Sequence, residues 1–264
     1  METNMLSVRK KALNMRRTVI LAASFAFICL LLAACSGGKE SEARRGLNPF
    51  PVDQNMTIYL PDGWQARDTG KYGAAMDTLA AEMPMALPLG TAAFFATRAN
   101  GEGKPASFIG IARTALPGMG NNVVRGLTPE ERQQLAQGMV LVMRGLSSRL
   151  NMPLAVDTAE FKSIGRYEPL VFSGQNERAA ARVPGWESTP MNFRLAFFFL
   201  TNDAVVLSYV GLPQNNAGID AEFNRILAAF EPDASYKPAP PPARREGESM
   251  DMYLMRAGSL GGTQ

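Results

Sequence analysis

Histidine is absent from this chain, and its only two cysteines, Cys29 and Cys35, lie near the amino terminus. The body of the protein therefore has no Ser-His-Asp triad, no Cys-His pair, no histidine metal site and no internal disulfide. Excess charge of either sign is missing as well. Arg9, Lys10, Lys11, Arg16 and Arg17 stand against the single acid Glu2 before Cys35, and without that segment 22 basic and 23 acidic side chains remain. So neutral a body lacks the concentrated positive field that nucleic-acid binding needs, which removes nucleic acid from the expected partners. Nothing in the spacing of the remaining residues assigns a catalytic, cofactor-binding or metal-ligating set.

What is present is globular. Apolar residues make up 46% of the 264 and charged residues 19%, enough for one domain of roughly 150 to 200 residues with appendages. Arg9 to Arg17 form a basic patch, and Thr18 to Ala34 follow without a charge, rich in Leu, Ile, Phe and Ala. This is the layout of an export signal. A spanning anchor is the alternative, since the run is only just long enough to cross a bilayer. Leu32-Ala33-Ala34-Cys35 decides for export, because it resembles the lipobox of bacterial lipoproteins. There, small residues precede a cysteine that is acylated on sulfur and becomes the first residue after cleavage. Cys29 follows the bulky Phe27 and Ile28 and does not fit. The expectation is cleavage between Ala34 and Cys35, a lipid on Cys35 and attachment to the membrane by acyl chains. Ser36 matches the default outer-membrane sorting pattern, which places the protein on the periplasmic face if the host has two membranes.

The chain divides accordingly into a signal peptide (1–34), a lipidated flexible tether (35–49), a folded domain (50–232) and a tail (233–264). The tether is small, polar and charged. The tail contains Pro238, Pro240, Pro241 and Pro242 and ends in glycines, so it reads as disordered with a local polyproline stretch.

Within the domain, Met56–Leu60 alternates as a strand that ends at Pro61-Asp62-Gly63. Tyr72, Ala75, Met76, Leu79 and Met83 recur at helical spacing over 70–86. Thr91–Arg98 and Ala106–Thr114 form a hairpin around Asn100–Lys104, and a flexible loop follows at 117–122. Thr128-Pro129-Glu130-Glu131 is a capping box that opens a long helix. Its expected docking stripe is Leu135, Met139, Val142, Met143, Leu146 and Leu150. Glu160–Gly165, Glu168–Gln175, Met191–Thr201 and Ala204–Gly211 read as four strands. Phe193–Leu200, broken only by Arg194, has the pattern of a central strand covered on both faces. Ile219, Phe223, Ile226, Leu227 and Phe230 then mark a closing helix over 217–230.

This order, with Tyr59–Trp64 (YLPDGW) near the start and Glu222–Phe230 (EFNRILAAF) at the end, resembles the PsbP-like family, which includes DcrB-like bacterial lipoproteins. The resemblance covers residues 50 to 232. It implies an α+β fold, a three-layer α/β/α sandwich around a mainly antiparallel sheet of about seven strands. It also implies a protein that binds or assembles other proteins and does not catalyse.

The expected function is that of a membrane-anchored, non-catalytic adaptor or assembly factor with an envelope protein as partner. Trp64 and Trp186 are its candidate contact residues, since tryptophan is enriched at binding hot spots. The alternative is a carrier of a small or lipidic ligand in a groove between sheet and helix, lined by Phe94, Phe95, Phe197 and Phe199. An enzyme ranks last, because it needs carboxylates such as Asp62, Asp157 or Glu168 to converge around a hard metal ion.

Overall fold

A computed structural model gives the fold of the chain, which divides into two units, Met1–Gly46 and Leu47–Gln264. The structure describes residues 42–70, 91–103, 105–116, 119–149, 154–176, 191–211 and 216–261. The signal, Ala34, Cys35, the helix expected over 70–86 and Trp186 lie outside them. Of the first unit, 42–46 form a turn closed by the Arg45 amide donating to the Glu42 carbonyl over 3.2 Å.

The second unit is built on one antiparallel sheet. Its strands are β3 (Trp64–Ala66), β4 (Thr91–Ala99), β5 (Pro105–Ala115), β6 (Leu154–Phe161), β7 (Leu170–Asn176), β8 (Met191–Phe199) and β9 (Asp203–Gly211). They lie side by side in the order β3-β4-β5-β9-β8-β7-β6. A separate pair, β1 (Asn48–Pro51) and β2 (Thr57–Leu60), forms a hairpin in which Phe50 faces Ile58. The sequence reading contains neither β1 nor β3. Both are short, and β1 (NPFP) is half proline, which sequence patterns score as a breaker.

Alternation across the pleat divides the apolar side chains of the sheet between two cores. On one face Phe94, Ala96, Ile109, Ile111, Leu207 and Phe198 meet the β1–β2 hairpin and helix α3 (Asn216–Ala229), through Phe223, Ile226 and Leu227. On the other, Phe172, Phe193 and Phe199 meet α1 (Asn121–Arg125) and α2 (Pro129–Arg149). The result is the expected α+β sandwich with a seven-stranded antiparallel sheet. β8 is covered on both sides as its composition requires, and its one charge, Arg194, is neutralised by Asp220 of α3 at 2.6 Å.

The capping box forms as read. The Thr128 amide donates to Glu131 Oε2 over 2.9 Å, and the Glu131 amide donates to Thr128 Oγ1 over 3.3 Å. The docking stripe, however, is Ala136, Met139, Val140 and Met143, and Val142 is 44% exposed. Leu135 turns aside to a third cluster with Val123, Leu127, Tyr253 and Ala257.

That cluster corrects the disordered tail. Residues 250–261 form α4, whose Tyr253 is fully buried. The prolines end at Pro242, and beyond them Met250, Tyr253, Leu254 and Ala257 repeat at helical spacing, behind Ser249, whose Oγ accepts the Met252 amide over 3.4 Å. Among the described residues no helix is long and apolar enough to cross a membrane.

Candidate functional site

Strand β6 is the last in the sheet order and, among the described residues, pairs with β7 alone. Its register with β7 slips between Val156 and Thr158, a bulge that sets Asp157 out of the ladder. After the bulge Ala159 and Phe161 turn toward α2 and Glu160 turns to the opposite face. Helix α2 packs along β6, and the amino-terminal half of the helix and the carboxy-terminal end of the strand bound a cleft of about 660 Å³, open to solvent. Leu127, Pro129 and Ala136 form its helix side and Ala159 and Phe161 its floor, with Arg132 and Gln133 at the rim. Glu160 lines it too, so the cleft reaches round the edge of the strand.

Arg132 is fixed in place. Its guanidinium lies 5.8 Å from the Phe161 ring centre and donates to Glu168 Oε2 over 2.7 Å and to the Arg125 carbonyl over 3.1 Å. Glu168, shared with Arg125 at 3.6 Å, is therefore spent on joining the β6–β7 connection to α1 and α2. The cleft offers an apolar floor, a cation already paired and a strand edge. These are the features of a surface that takes an extended chain by strand addition.

The residues named from sequence fall elsewhere. Trp64 is 5% exposed and packs edge-on against Tyr209, with centroids 5.7 Å apart, so it is a core residue and not a contact residue. Its Nε1 donates to Glu222 Oε1 over 3.1 Å, and Arg98 stands over its ring at 5.1 Å while bonding Glu222 Oε2 at 2.6 Å. The same network pushes the Tyr209 hydroxyl pKa up, first by burial and then by the Glu222 charge. The cluster ties β3, β4 and β9 to α3, and the two motifs of the resemblance, Tyr59–Trp64 and Glu222–Phe230, meet in it. Trp186 lies outside the described residues, as do Ala34 and Cys35.

The four phenylalanines do not share a groove. Phe94 belongs to the α3 face, 6.0 Å from Phe50, whereas Phe95 and Phe197 lie across the sheet with Phe199. Phe199 and Phe197 are packed on Phe161 and Phe172 at 6.3 and 5.5 Å. The acids do not converge either. Asp62 accepts from Asn48 at 2.8 Å in the β2–β3 turn, Asp157 stands at the β6 bulge and Glu168 is paired as above. Among the described residues no three His, Cys, Asp or Glu side chains are grouped to hold a metal ion. The β6–α2 cleft was absent from the sequence reading, which placed the strand at Glu160–Gly165 and so missed both the edge and the floor.

No family model and no curated protein matches the sequence. Solved structures similar to the chain include one from Bacteroides thetaiotaomicron, 14% identical with a TM-score of 0.40, over 78% of this chain and half the length of that one. A cyanobacterial PsbP from Synechocystis is similar at 8% identity and a TM-score of 0.40, over 71% of this chain and 92% of its own. LpqN of Mycobacterium tuberculosis, a protein involved in cell envelope biogenesis, is similar at 11% identity and a TM-score of 0.39, over 68% of this chain and 86% of its own.

Proposed function

We propose that the chain is a lipid-anchored protein of the cell envelope that binds a protein partner without catalysing a reaction. The partner presents an extended segment along β6, in the cleft against α2. The open cleft beside the edge of β6 carries this reading. Strand addition supplies main-chain hydrogen bonds, and the floor at Ala159 and Phe161 selects small or flat apolar side chains at alternate positions. The Leu32–Cys35 lipobox supports acylation at Cys35 and, with Ser36, a site on the periplasmic face of the outer membrane in a two-membrane host. The PsbP-like resemblance of Tyr59–Trp64 and Glu222–Phe230 supports a binding role in place of catalysis.

The test is photocrosslinking in intact cells with a photoreactive amino acid at Gln133, followed by capture and mass spectrometry. The expected result is one dominant protein adduct, lost in Ala159→Arg, which fills the cleft, and reduced in Cys35→Ala, which removes the anchor. An adduct pattern that Ala159→Arg leaves unchanged, in a variant with wild-type circular dichroism, would remove the cleft from the account.

A further inference from the structure

After α3 the chain crosses back over the fold and ends in α4, which packs where α1 passes into α2. The contact is a socket for one side chain. Tyr253 is fully buried, and its hydroxyl donates to the Val123 carbonyl over 3.3 Å. A Cβ placed on Gly126 would stand 1.9 Å from the Tyr253 hydroxyl oxygen, 2.8 Å from its Cζ and 3.2 Å from the Pro241 Cβ. Gly126 has φ −79°, which any residue adopts, so the backbone does not call for glycine there. The space is kept for the C-terminal segment, to which all three of those nearest atoms belong.

The ring is also held from the sides. Arg244 and Arg256 lie 4.8 and 5.8 Å from its centre. Arg244 is set by Glu131 of the capping box at 2.7 Å, and Arg256 by a two-pronged pair with Glu248 at 2.7 and 2.8 Å. The connection leading there, 237–241, is exposed and carries three of the prolines. The outer face of α4 is open, with Met252 62% and Met255 77% exposed. A buried aromatic anchor, a short amphipathic helix and an exposed stiff connector together describe a helix-in-groove ligand attached to its own receptor.

We propose that the α1–α2 corner is a recognition site for a tyrosine-anchored amphipathic helix, and that α4 is its resident, releasable ligand. Tethering keeps the helix at high effective concentration, so the site is closed at rest and opens only when α4 leaves. This inference does not rest on the strand-addition reading of the β6 cleft.

The test uses the full-length chain and a fluorescein-labelled peptide of residues 243–261. Tyr253→Ala in the protein weakens the resident helix, and the peptide is expected to bind that variant about ten-fold or more tightly than it binds wild type. Adding Gly126→Ala to the same variant fills the socket and is expected to abolish binding. In an otherwise wild-type chain, Gly126→Ala alone is expected to release hydrogen-exchange protection in α4 while β5 and β9 keep theirs. Failure of the peptide to bind a folded Tyr253→Ala protein would overturn the proposal. So would loss of β5 and β9 protection in either single variant, because α4 would then belong to the core.

Discussion

Met143 and Val142 are neighbours on α2 with opposite environments, one 7% and the other 44% exposed. Spacing alone puts both within one apolar stripe. What separates them is Leu135, which the third cluster takes, leaving Ala136, Met139, Val140 and Met143 to face the sheet. Truncating Met143 to alanine removes buried methylenes and leaves a cavity, so a loss of about 2 to 4 kcal/mol is expected. Val142→Ala is expected to change stability by less than about 0.5 kcal/mol. Urea denaturation of the two variants checks this, and equal losses would mean that the helix is rotated from the orientation described. Trp64 carries the same lesson. Its indole N–H is satisfied by Glu222, 158 positions away in sequence, and no local pattern reports a partner so distant.

At the scale of the element, β4, β5, β8, β9 and α3 were legible because each is long enough for its period to be counted and each ends at turn residues. The capping box was legible for the same local reason. β1 and α1 were not, with four and five residues respectively. The missed α4 differs, since its period was present but followed a proline-rich stretch whose composition outweighed it. The pieces that position the candidate cleft, a bulged edge strand and the side of α2 turned toward it, come from pairing between distant segments, whereas the pairing legible in sequence was the local β4–β5 hairpin.

The strap formed by α4 also has a pH signature. The hydrogen bonds from Arg256 hold the Glu248 carboxyl at about 2, against its ordinary value of 4.5. Glu131 is lowered too, because although burial raises it, the hydrogen bonds from Arg244 and the Thr128 amide outweigh that effect. A carboxylate depressed in the folded state contributes stability that is present above its unfolded value and is lost as pH falls through the folded one. Protection of α4 should therefore hold from neutrality down to about pH 4.5 and fade toward pH 2. Amide exchange across that range measures it, and protection unchanged at pH 2 would show that the Glu248–Arg256 pair does not hold the helix.

For the molecule as a whole, the sheet is two three-stranded meanders, β3-β4-β5 and β6-β7-β8, joined by β9 between β5 and β8. The seam pairs Ile109 with Tyr209, so a span of a hundred residues closes before the centre of the sheet exists. Refolding after denaturant dilution is accordingly expected on the slow side, in about milliseconds to seconds, as for other sheets dominated by distant pairings. A microsecond relaxation with full native signal would contradict this topology.

The place of β9 bears on how the protein is made. Until residues 203–211 have left the ribosome, β5 and β8 are open edges, and β8 offers Phe193, Phe197, Phe198 and Phe199 to any neighbouring strand. Such a chain cannot lock prematurely into its final form, and it is prone to associate with others of its kind. Late closure therefore leaves the two halves of the sheet unlocked through most of synthesis, with their inner edges uncovered until β9 is inserted between them.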